Sequence, residues 1–243
     1  MFRFNRRKKE KNLQKEQAKG APIVAFNNPK SIHAEQIRTI RTNLEFVNLD
    51  KPVRSIVITS SIPAEGKSTI SANLAHIMGA TEKKVLIVDA DLRRPMVHRT
   101  FNLKNESGLS TLFTQPELKL NDVIQFNPEL NLYLLPAGTI PPNPSELLAS
   151  AKMTHIMEEL KKYFDLVIYD TPPVSAITDA QIMASKVDGV VLVVREGYVT
   201  KEEVKNAKAA LDNVNAKIFG YVINDKEATD SSGYYAYYGY SEE

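Results

Sequence analysis

The chain has 243 residues, of which 43% are hydrophobic and 25% charged, a composition typical of a globular protein with a well-buried core. It has no cysteine and four histidines without metal-ligand spacing, which excludes a disulfide framework and thiolate zinc sites. No apolar run approaches the roughly 18 residues of a membrane span, and the basic N-terminus lacks the apolar core of a signal peptide. We therefore expect a cytoplasmic protein.

The N-terminal segment carries most of the positive charge. The net charge is +2, but residues 1–20 hold eight Lys or Arg and two Glu, which gives +6 there and −4 for the rest. Such a segment is either a solvated tail or a polybasic stretch drawn to an anionic membrane leaflet, where each cation is worth about 1 kcal/mol. No nucleic-acid-binding fold follows it, so we expect no nucleic-acid partner. We predict that residues 1–30 form a flexible basic tail and linker, with 22–29 extended.

The remaining elements alternate between helix and strand. Ser31 is placed to cap a helix that continues to about Phe46. Apolar runs predict strands at 55–60, 85–91, 131–136, 166–170, 189–195 and 217–224, and helices at 67–79, near 96–101, after Gly108, up to about Tyr163, near 178–186 and at 200–213. This alternation predicts an α/β fold, a doubly wound, mostly parallel sheet with helices on both faces, over residues 31–225. We predict that residues 226–243 form a flexible tail.

The stretch SSIPAEGKST at 60–69 is close to a phosphate-binding loop. Its Gly-Lys-Ser end matches G-x-x-x-x-G-K-[ST], but Ser61 stands where the first glycine belongs. A predicted strand precedes it and a helix follows, so that backbone N–H groups and the helix dipole can cradle phosphate. In this arrangement Lys67 reaches the terminal phosphates and the Ser68 hydroxyl binds Mg²⁺.

Two further strands end in acidic residues. The run VLIV is followed by Asp89 and Asp91, and the run LVIY is followed by Asp170. Ligands of a doubly wound sheet bind beyond the carboxyl ends of its strands. A single Asp here is commonly a turn cap, but three of them beside a Lys-Ser phosphate loop fit Mg²⁺ and a catalytic base better.

Four motifs together resemble the bacterial tyrosine kinases (BY-kinases). They are TSxxPxEGKS at the loop, VLIVDADLRRP, LVIYDTPP and LPAGxxPPNPSELL, the last at 135–148. The chain is most similar to the stand-alone cytoplasmic form found in Gram-positive capsular and exopolysaccharide gene clusters, with the P-loop fold that MinD and ParA share. In this family Ser replaces the first glycine, whereas Ala64 departs from the usual glycine. Alanine can serve there if its φ stays negative, and we expect slightly less freedom of the loop rather than lost binding.

The resemblance implies an ATP- and Mg²⁺-dependent protein-tyrosine kinase. Its nucleotide-binding residues are Ser61, Pro63, Ala64, Glu65, Gly66, Lys67, Ser68 and Thr69; its catalytic residues are Lys67, Asp89, Asp91 and Asp170; and its metal ligands are Ser68, Asp89, Asp91 and Asp170. Asp89 acts near the metal and can accept the phenolic proton, but the sequence leaves open which acid is the base. Asn224 and Asp225 lie where related ATPases often contact the base of the nucleotide.

The first predicted helix carries the motif E-x-x-R-x-x-R. A step of roughly 100° per residue places Glu35, Arg38 and Arg41 on one face. By itself this pattern describes an ordinary solvated face. The resemblance implies instead an interface that joins subunits into a ring.

The C-terminal stretch SSGYYAYYGYSEE holds five tyrosines: Tyr234, Tyr235, Tyr237, Tyr238 and Tyr240. The resemblance implies that they are autophosphorylated in trans, and that each phosphate adds about −1.5 to −2 charges which favour ring disassembly. It also implies a transmembrane polysaccharide co-polymerase as activator, other protein tyrosine substrates and a cognate phosphotyrosine phosphatase. Recruitment to the inner face of the membrane would then come from the co-polymerase.

A partitioning ATPase of the MinD/ParA type is the alternative function. Those proteins carry an additional lysine in the loop that acts across a dimer. Its position here is 62, which Ile62 occupies, so the sequence disfavours this alternative.

Overall fold

The computed structural model describes residues 20–47 and 51–226. The expectations for the basic segment 1–19 and for the tyrosine cluster at 234–240 lie outside these residues. The division of the chain into a tail, a kinase domain and a second tail stays a prediction.

The strands form one seven-stranded sheet, which confirms the predicted α/β class. They are β1 (Ser55–Ser60), β2 (Val85–Asp89), β3 (Gln125–Asn127), β4 (Leu132–Leu135), β5 (Leu166–Asp170), β6 (Gly189–Arg195) and β7 (Ile218–Asn224). Their order is β3-β4-β2-β5-β1-β6-β7. All neighbouring pairs are parallel except β3 and β4. The ends of β1, β2 and β5 therefore meet at one edge.

Ten helices are found in the described residues. They are α1 (Val24–Asn27), α2 (Ile32–Phe46), α3 (Lys67–Gly79), α4 (Val97–Thr100), α5 (Thr111–Thr114), α6 (Leu120–Val123), α7 (Pro144–Ala149), α8 (Ala151–Tyr163), α9 (Asp179–Ala184) and α10 (Lys201–Asp212). Within 20–47 and 51–226, no helix is long and apolar enough to cross a bilayer.

The helices cover both faces of the sheet because alternate strand residues point to opposite sides. Ile56 and Ile58 face one cluster, which α1 to α4 complete. Val57 and Leu192 face the other cluster, which α5 to α10 complete. The central strands are buried along their whole length, as their continuous apolar sequences predicted.

The structure corrects three local expectations. Residues 24–27 form a helical turn, so the prediction of an extended stretch over 22–29 is wrong there. The sequence did not reveal the short antiparallel strand β3 at the sheet edge. The helix that ends at Tyr163 is two helices, because Ser150 leaves helical geometry and caps α8 by accepting a hydrogen bond from Met153 N.

A buried asparagine joins the N-terminal segment to the helix that follows the loop. Asn73 of α3 accepts a hydrogen bond from Ala25 N (2.8 Å) and donates to Pro22 O (2.8 Å) and Thr69 O (2.8 Å). Its side-chain amide thus has protein partners on both its oxygen and its nitrogen, as a buried amide requires. Residues 22–25 are therefore packed against α3.

Candidate active site

The loop between β1 and α3 has the backbone of a phosphate-binding loop. Gly66, directly before α3, has φ of +91°, and a Cβ there would lie 2.2 Å from the Asn224 side-chain nitrogen. Only glycine fits both constraints. Ala64 has φ of +69°, so the condition of a negative φ, set for alanine at this position, is not met. An L-residue in this conformation is destabilised by about 1 kcal/mol.

The Glu65 side chain holds the loop from inside. It is fully buried, and its carboxylate accepts hydrogen bonds from Ile62 N (2.8 Å) and Arg195 N (3.0 Å). Burial raises the pKa of Glu65, although these backbone N–H groups oppose the shift. Its carboxylate is committed to the loop backbone, a role that the sequence did not reveal.

Two residues at the ends of β6 and β7 hold the outer side of the loop. The Arg195 guanidinium donates to Ala64 O (3.2 Å), and the Asn224 amide donates to Glu65 O (2.9 Å). Arg195 also pairs with Asp225 (2.7 Å). Both loop carbonyl oxygens thus accept hydrogen bonds from side chains of β6 and β7. The sequence did not suggest that the Asn224 side-chain nitrogen would bond to the loop backbone.

Lys67 lies among the predicted acidic residues. Its Nζ is 3.5 Å from Asp91 Oδ2, 3.9 Å from Asp170 Oδ1 and 3.2 Å from Ser68 Oγ. Burial by itself lowers the pKa of Lys67, but the negative charges of Asp170, Asp91 and Asp89 outweigh it and raise the pKa. The structure therefore brings together the four residues predicted as catalytic, with a lysine that stays charged.

Asp89 and Asp170 are neighbours in the register of β2 and β5, and both are fully buried. Asp89 Oδ2 accepts from Met96 N (2.9 Å) and Val97 N (2.8 Å), and Asp170 Oδ1 accepts from Ser71 Oγ (3.0 Å). Burial, followed by the charge of Asp170, raises the pKa of Asp89 to about 8. Burial also raises the pKa of Asp170, against the opposing charge of Lys67.

The donor set fits the divalent ion that the P-loop NTPase fold implies. Asp89 Oδ1 and Asp170 Oδ2 are buried and lack a hydrogen-bond partner in the described part of the chain. No group of three acidic or histidine residues there forms a ready metal cage. A magnesium ion in such a site takes only one or two carboxylates beside phosphate oxygens and water. The Asp170 carboxylate beside the Ser68 hydroxyl, with the Asp89 carboxylate next to it in the sheet, matches this requirement.

Two of the sequence motifs meet through a buried carboxylate. Arg93, from DLRRP, contacts Asp179 with its Nε (2.9 Å) and Ser145, from NPSELL, with an Nη (2.9 Å). Ser145 in turn donates to Asp179 Oδ1 (2.5 Å). These motifs therefore fix the start of α9 against the loop that follows Asp91.

The predicted interface residues lie on the outside of α2. Glu35 and Arg38 form an ion pair within the helix, and Arg38 also donates to Pro29 O (2.7 Å). Arg41 Nε is buried and has no partner within residues 20–47 and 51–226. The structure thus places the three residues on one helix, but it does not bring them to the active site.

A parallel sheet with this loop after β1 and acids at the ends of β2 and β5 defines a P-loop nucleotide-binding enzyme. A family model described as an AAA domain matches residues 53–219. The chain is 44% identical to the tyrosine-protein kinase YwqD of Bacillus subtilis over 217 residues. The matched region covers 89% of this chain and 91% of that protein. The chain belongs to the bacterial tyrosine kinases.

Solved structures agree with this assignment. The chimerical protein CapA2B2 is 38% identical, with a TM-score of 0.81 over 90% of this chain and 100% of that chain. The cell division ATPase MinD of Pyrococcus furiosus is 23% identical, with a TM-score of 0.58 over 75% of this chain and 78% of that chain. The likeness to MinD is one of fold alone, whereas the likeness to YwqD and CapA2B2 extends over nearly the whole chain.

Proposed function

We propose that this kinase uses ATP and Mg²⁺ to phosphorylate the tyrosines of its own C-terminal segment, one chain acting on another. The observation that carries the proposal is the cluster of Lys67, Ser68, Asp91 and Asp170 beside the high-pKa carboxyl of Asp89. Phosphoryl transfer depends mainly on positioning and on charge stabilisation. The cluster supplies both at the carboxyl edge of the sheet.

Lys67 provides the positive charge for the phosphates. Its ammonium is held by Asp91 and Asp170 at the first residue of α3, where the helix dipole adds positive potential. Ser68 and Asp170 would hold Mg²⁺ directly or through water, with Asp89 and Asp91 beside them. The ion, when bound, supplies charge neutralisation on the phosphate oxygens. The loop backbone is held in place for phosphate binding by its hydrogen bonds with Glu65, Arg195 and Asn224.

Asp89 is the residue that we assign as the base. Its Oδ2 is fixed by the N–H groups of Met96 and Val97, so Oδ1 is the oxygen that remains to accept the phenolic proton. A pKa of about 8 lies near working pH, where a general base is most effective. Asp170 and Asp91 then remain to orient Lys67 and the metal.

The α2 surface supports transfer between chains. Glu35 is exposed and Arg38 and Arg41 are half-buried on this helix, so the three side chains present charged surface to a neighbouring subunit. We propose that Glu35, Arg38 and Arg41 join subunits into a ring in which a tyrosine segment reaches the next active site. Phosphates on the already acidic segment then repel and open the ring.

The cellular role we propose is control of capsular or exopolysaccharide synthesis. The resemblance to stand-alone kinases of such gene clusters supports a transmembrane co-polymerase as activator and anchor, with the basic segment 1–20 as a further membrane contact. A phosphotyrosine phosphatase would reset the cycle. The protein-tyrosine kinase and the alternative partitioning ATPase differ in one product, since only the kinase forms phosphotyrosine.

The test is phosphosite mapping by mass spectrometry after incubation with ATP and Mg²⁺, with and without the cytoplasmic tail of the co-polymerase. We expect phosphate on Tyr234, Tyr235, Tyr237, Tyr238 or Tyr240 and strong stimulation by the tail. Nucleotide hydrolysis without phosphotyrosine would instead support the partitioning ATPase.

A second experiment tests the ring. Replacing Arg38 and Arg41 by alanine should yield monomers by light scattering and lower autophosphorylation, because the effective concentration of the tyrosine segment falls. Replacing all five tyrosines by phenylalanine should preserve the assembly in the presence of ATP. An arginine variant that stays oligomeric would contradict the interface.

A further inference from the structure

A groove with an apolar floor lies beside the loop, between the ends of β6 and β7 and the start of α10. We call it the β6–β7 groove; its volume is about 550 Å³. Val194, Val199, Val204 and Ile223 form its floor. Ile223 is 51% exposed, and it adjoins the three valines, so the floor is a continuous apolar surface rather than one isolated side chain. The floor is therefore suited to a ring-bearing side chain.

The rim of the β6–β7 groove is cationic. Lys201, Lys205, Lys226 and Arg195 line it, against a single acid, Glu196. Arg195 is already engaged by Asp225, whereas the three lysines have exposed side chains. Lys201 and Lys205 also belong to the first turns of α10, whose dipole adds positive potential there. The rim is suited to an acidic segment.

The chain itself supplies a segment with this chemistry. Residues 227–243 hold four acids (Glu227, Asp230, Glu242 and Glu243), no cation, and the five tyrosines between them. The segment starts directly after Lys226, which lines the groove. Tyr234 follows eight residues later, a reach of about 26 Å in an extended chain, more than enough to turn back.

The departure of the chain from β7 also favours this path. Asp225 has φ of +58° and is held by Arg195, so the chain changes direction at the mouth of the groove rather than continuing β7. Close attachment gives the segment a high effective concentration at the groove without any strong single contact.

We propose that residues 227–243 dock in the β6–β7 groove of the same chain, with tyrosine rings on the apolar floor and the flanking acids against the lysine rim. A tyrosine held there is withheld from a neighbouring active site. This role of the groove rests on the proposed autophosphorylation, whereas docking itself does not.

The test measures the distance between spin labels by electron paramagnetic resonance in the full chain without nucleotide. Because the chain has no cysteine, Asn206→Cys on α10 and Ala236→Cys among the tyrosines can be labelled cleanly. We expect a short, narrow distance distribution for this pair. The reference pair, Glu129→Cys in the β3–β4 turn with Ala236→Cys, should give a distinctly longer distance, because β3 lies at the opposite edge of the sheet.

Charge reversal of the rim separates docking from chance proximity. Lys201→Glu with Lys205→Glu should lower the docked fraction, by up to about fivefold for each exposed ion pair lost. Lys208→Glu is the matched control on the same helix, since Lys208 pairs with Asp212 and does not line the groove; it should leave the distance unchanged. A broad distribution in the parent chain, or equal effects of both variants, would overturn the proposal.

Two outcomes identify other occupants or roles. A short distance that arises only when singly labelled chains are mixed would show a second copy in the groove and overturn docking within one chain. The rate of tyrosine phosphorylation should rise in the rim variant but not in Lys208→Glu, and an unchanged rate would overturn the withholding role. Absence of phosphotyrosine in every sample would refute the proposed function, while the distances would still decide docking.

Discussion

The two ends of the central strands use the same residue type in opposite ways. At the amino ends, Asp188 Oδ2 accepts from Arg54 N (2.9 Å) and Ser55 N (2.8 Å), and Asp165 Oδ2 accepts from Lys84 N (2.9 Å). At the carboxyl ends, Asp89 and Asp170 are buried with one carboxylate oxygen each left without a partner in the described residues.

This difference separates structural from chemical carboxylates. Asp188 and Asp165 satisfy backbone N–H groups and thereby stabilise the fold. Asp89 and Asp170 are held close together and away from water, which destabilises the fold but gives this edge of the sheet affinity for a cation. Four predictions, three of them with a second variant for comparison, can break or sharpen this comparison.

Lys67→Met should have the largest effect, because it removes the cation of the carboxyl edge. We expect autophosphorylation to fall on the order of 10²–10³-fold, as for other lost electrostatic contacts to a transition state. Circular dichroism should show a folded protein. Near-normal phosphotyrosine on immunoblots would contradict the assignment of the loop.

Asp89→Asn compared with Asp188→Ala tests the two ends directly. Asp89→Asn should abolish transfer yet stabilise the nucleotide-free protein by about 1–3 kcal/mol above pH 8, because no buried charge remains beside Asp170. Asp188→Ala should lower stability by a similar amount and leave the rate of transfer nearly unchanged.

The sign of this pH effect follows from the raised pKa of Asp89. The folded protein binds its proton up to about pH 8, whereas the unfolded chain releases it near pH 4. The stability contributed by the protonated carboxyl is thus present at low pH and is lost as pH rises between these values. Thermal melts from pH 5 to 9 should show the gain of Asp89→Asn growing with pH; a constant difference would contradict a buried titrating carboxyl.

Asn224→Ala should have a moderate effect, since one hydrogen bond to Glu65 O is lost. A net hydrogen bond of about 1 kcal/mol corresponds to a roughly fivefold weaker affinity for nucleotide, measurable by calorimetry. Asn105→Ala is the control, because Asn105 holds the backbone of Gly138 in another loop. It should lower stability without a change in nucleotide affinity.

Ala64→Gly should have the smallest effect. Relief of the positive φ gains about 1 kcal/mol, and the greater freedom of glycine in the unfolded chain removes part of this gain. We expect the melting temperature to rise by a degree or two. Asn102→Gly, at φ of +51°, should gain less because asparagine tolerates this conformation. A fall in stability for Ala64→Gly would contradict the strain at this position.

Much of the fold was predictable because local sequence and burial agree. The runs at 55–60, 166–170 and 189–195 are continuous and apolar, and the structure has strands with these same bounds. Ser31 was predicted as a cap and accepts a hydrogen bond from Ala34 N. The three residues of β3 carry no such pattern, since only the pairing with β4 defines the strand.

The parts of the site that the sequence missed depend on contacts between distant residues. Glu65 meets the backbone of Arg195, 130 residues away, and Asn224 meets Glu65 across 159 residues. No local sequence pattern predicts such contacts. The strand-end acids were found because the carboxyl ends of parallel strands converge whatever their sequence separation. The positive φ of Ala64 was not predictable either, since alanine locally prefers a negative φ.

The buried side chain of Asn73 fixes where the chain can be shortened or fused. Deletion up to Lys30 would remove both Pro22 O and Ala25 N, leaving polar atoms of a buried amide on the helix after the loop without their partners. Gly20 and Ala21 lie against Thr100, whose Oγ1 accepts from Ala21 N (2.9 Å). A tag or a membrane anchor placed before Gly20 would therefore join the fold beside Thr100. This position is a few residues along the chain from Met96 and Val97, whose N–H groups bind Asp89.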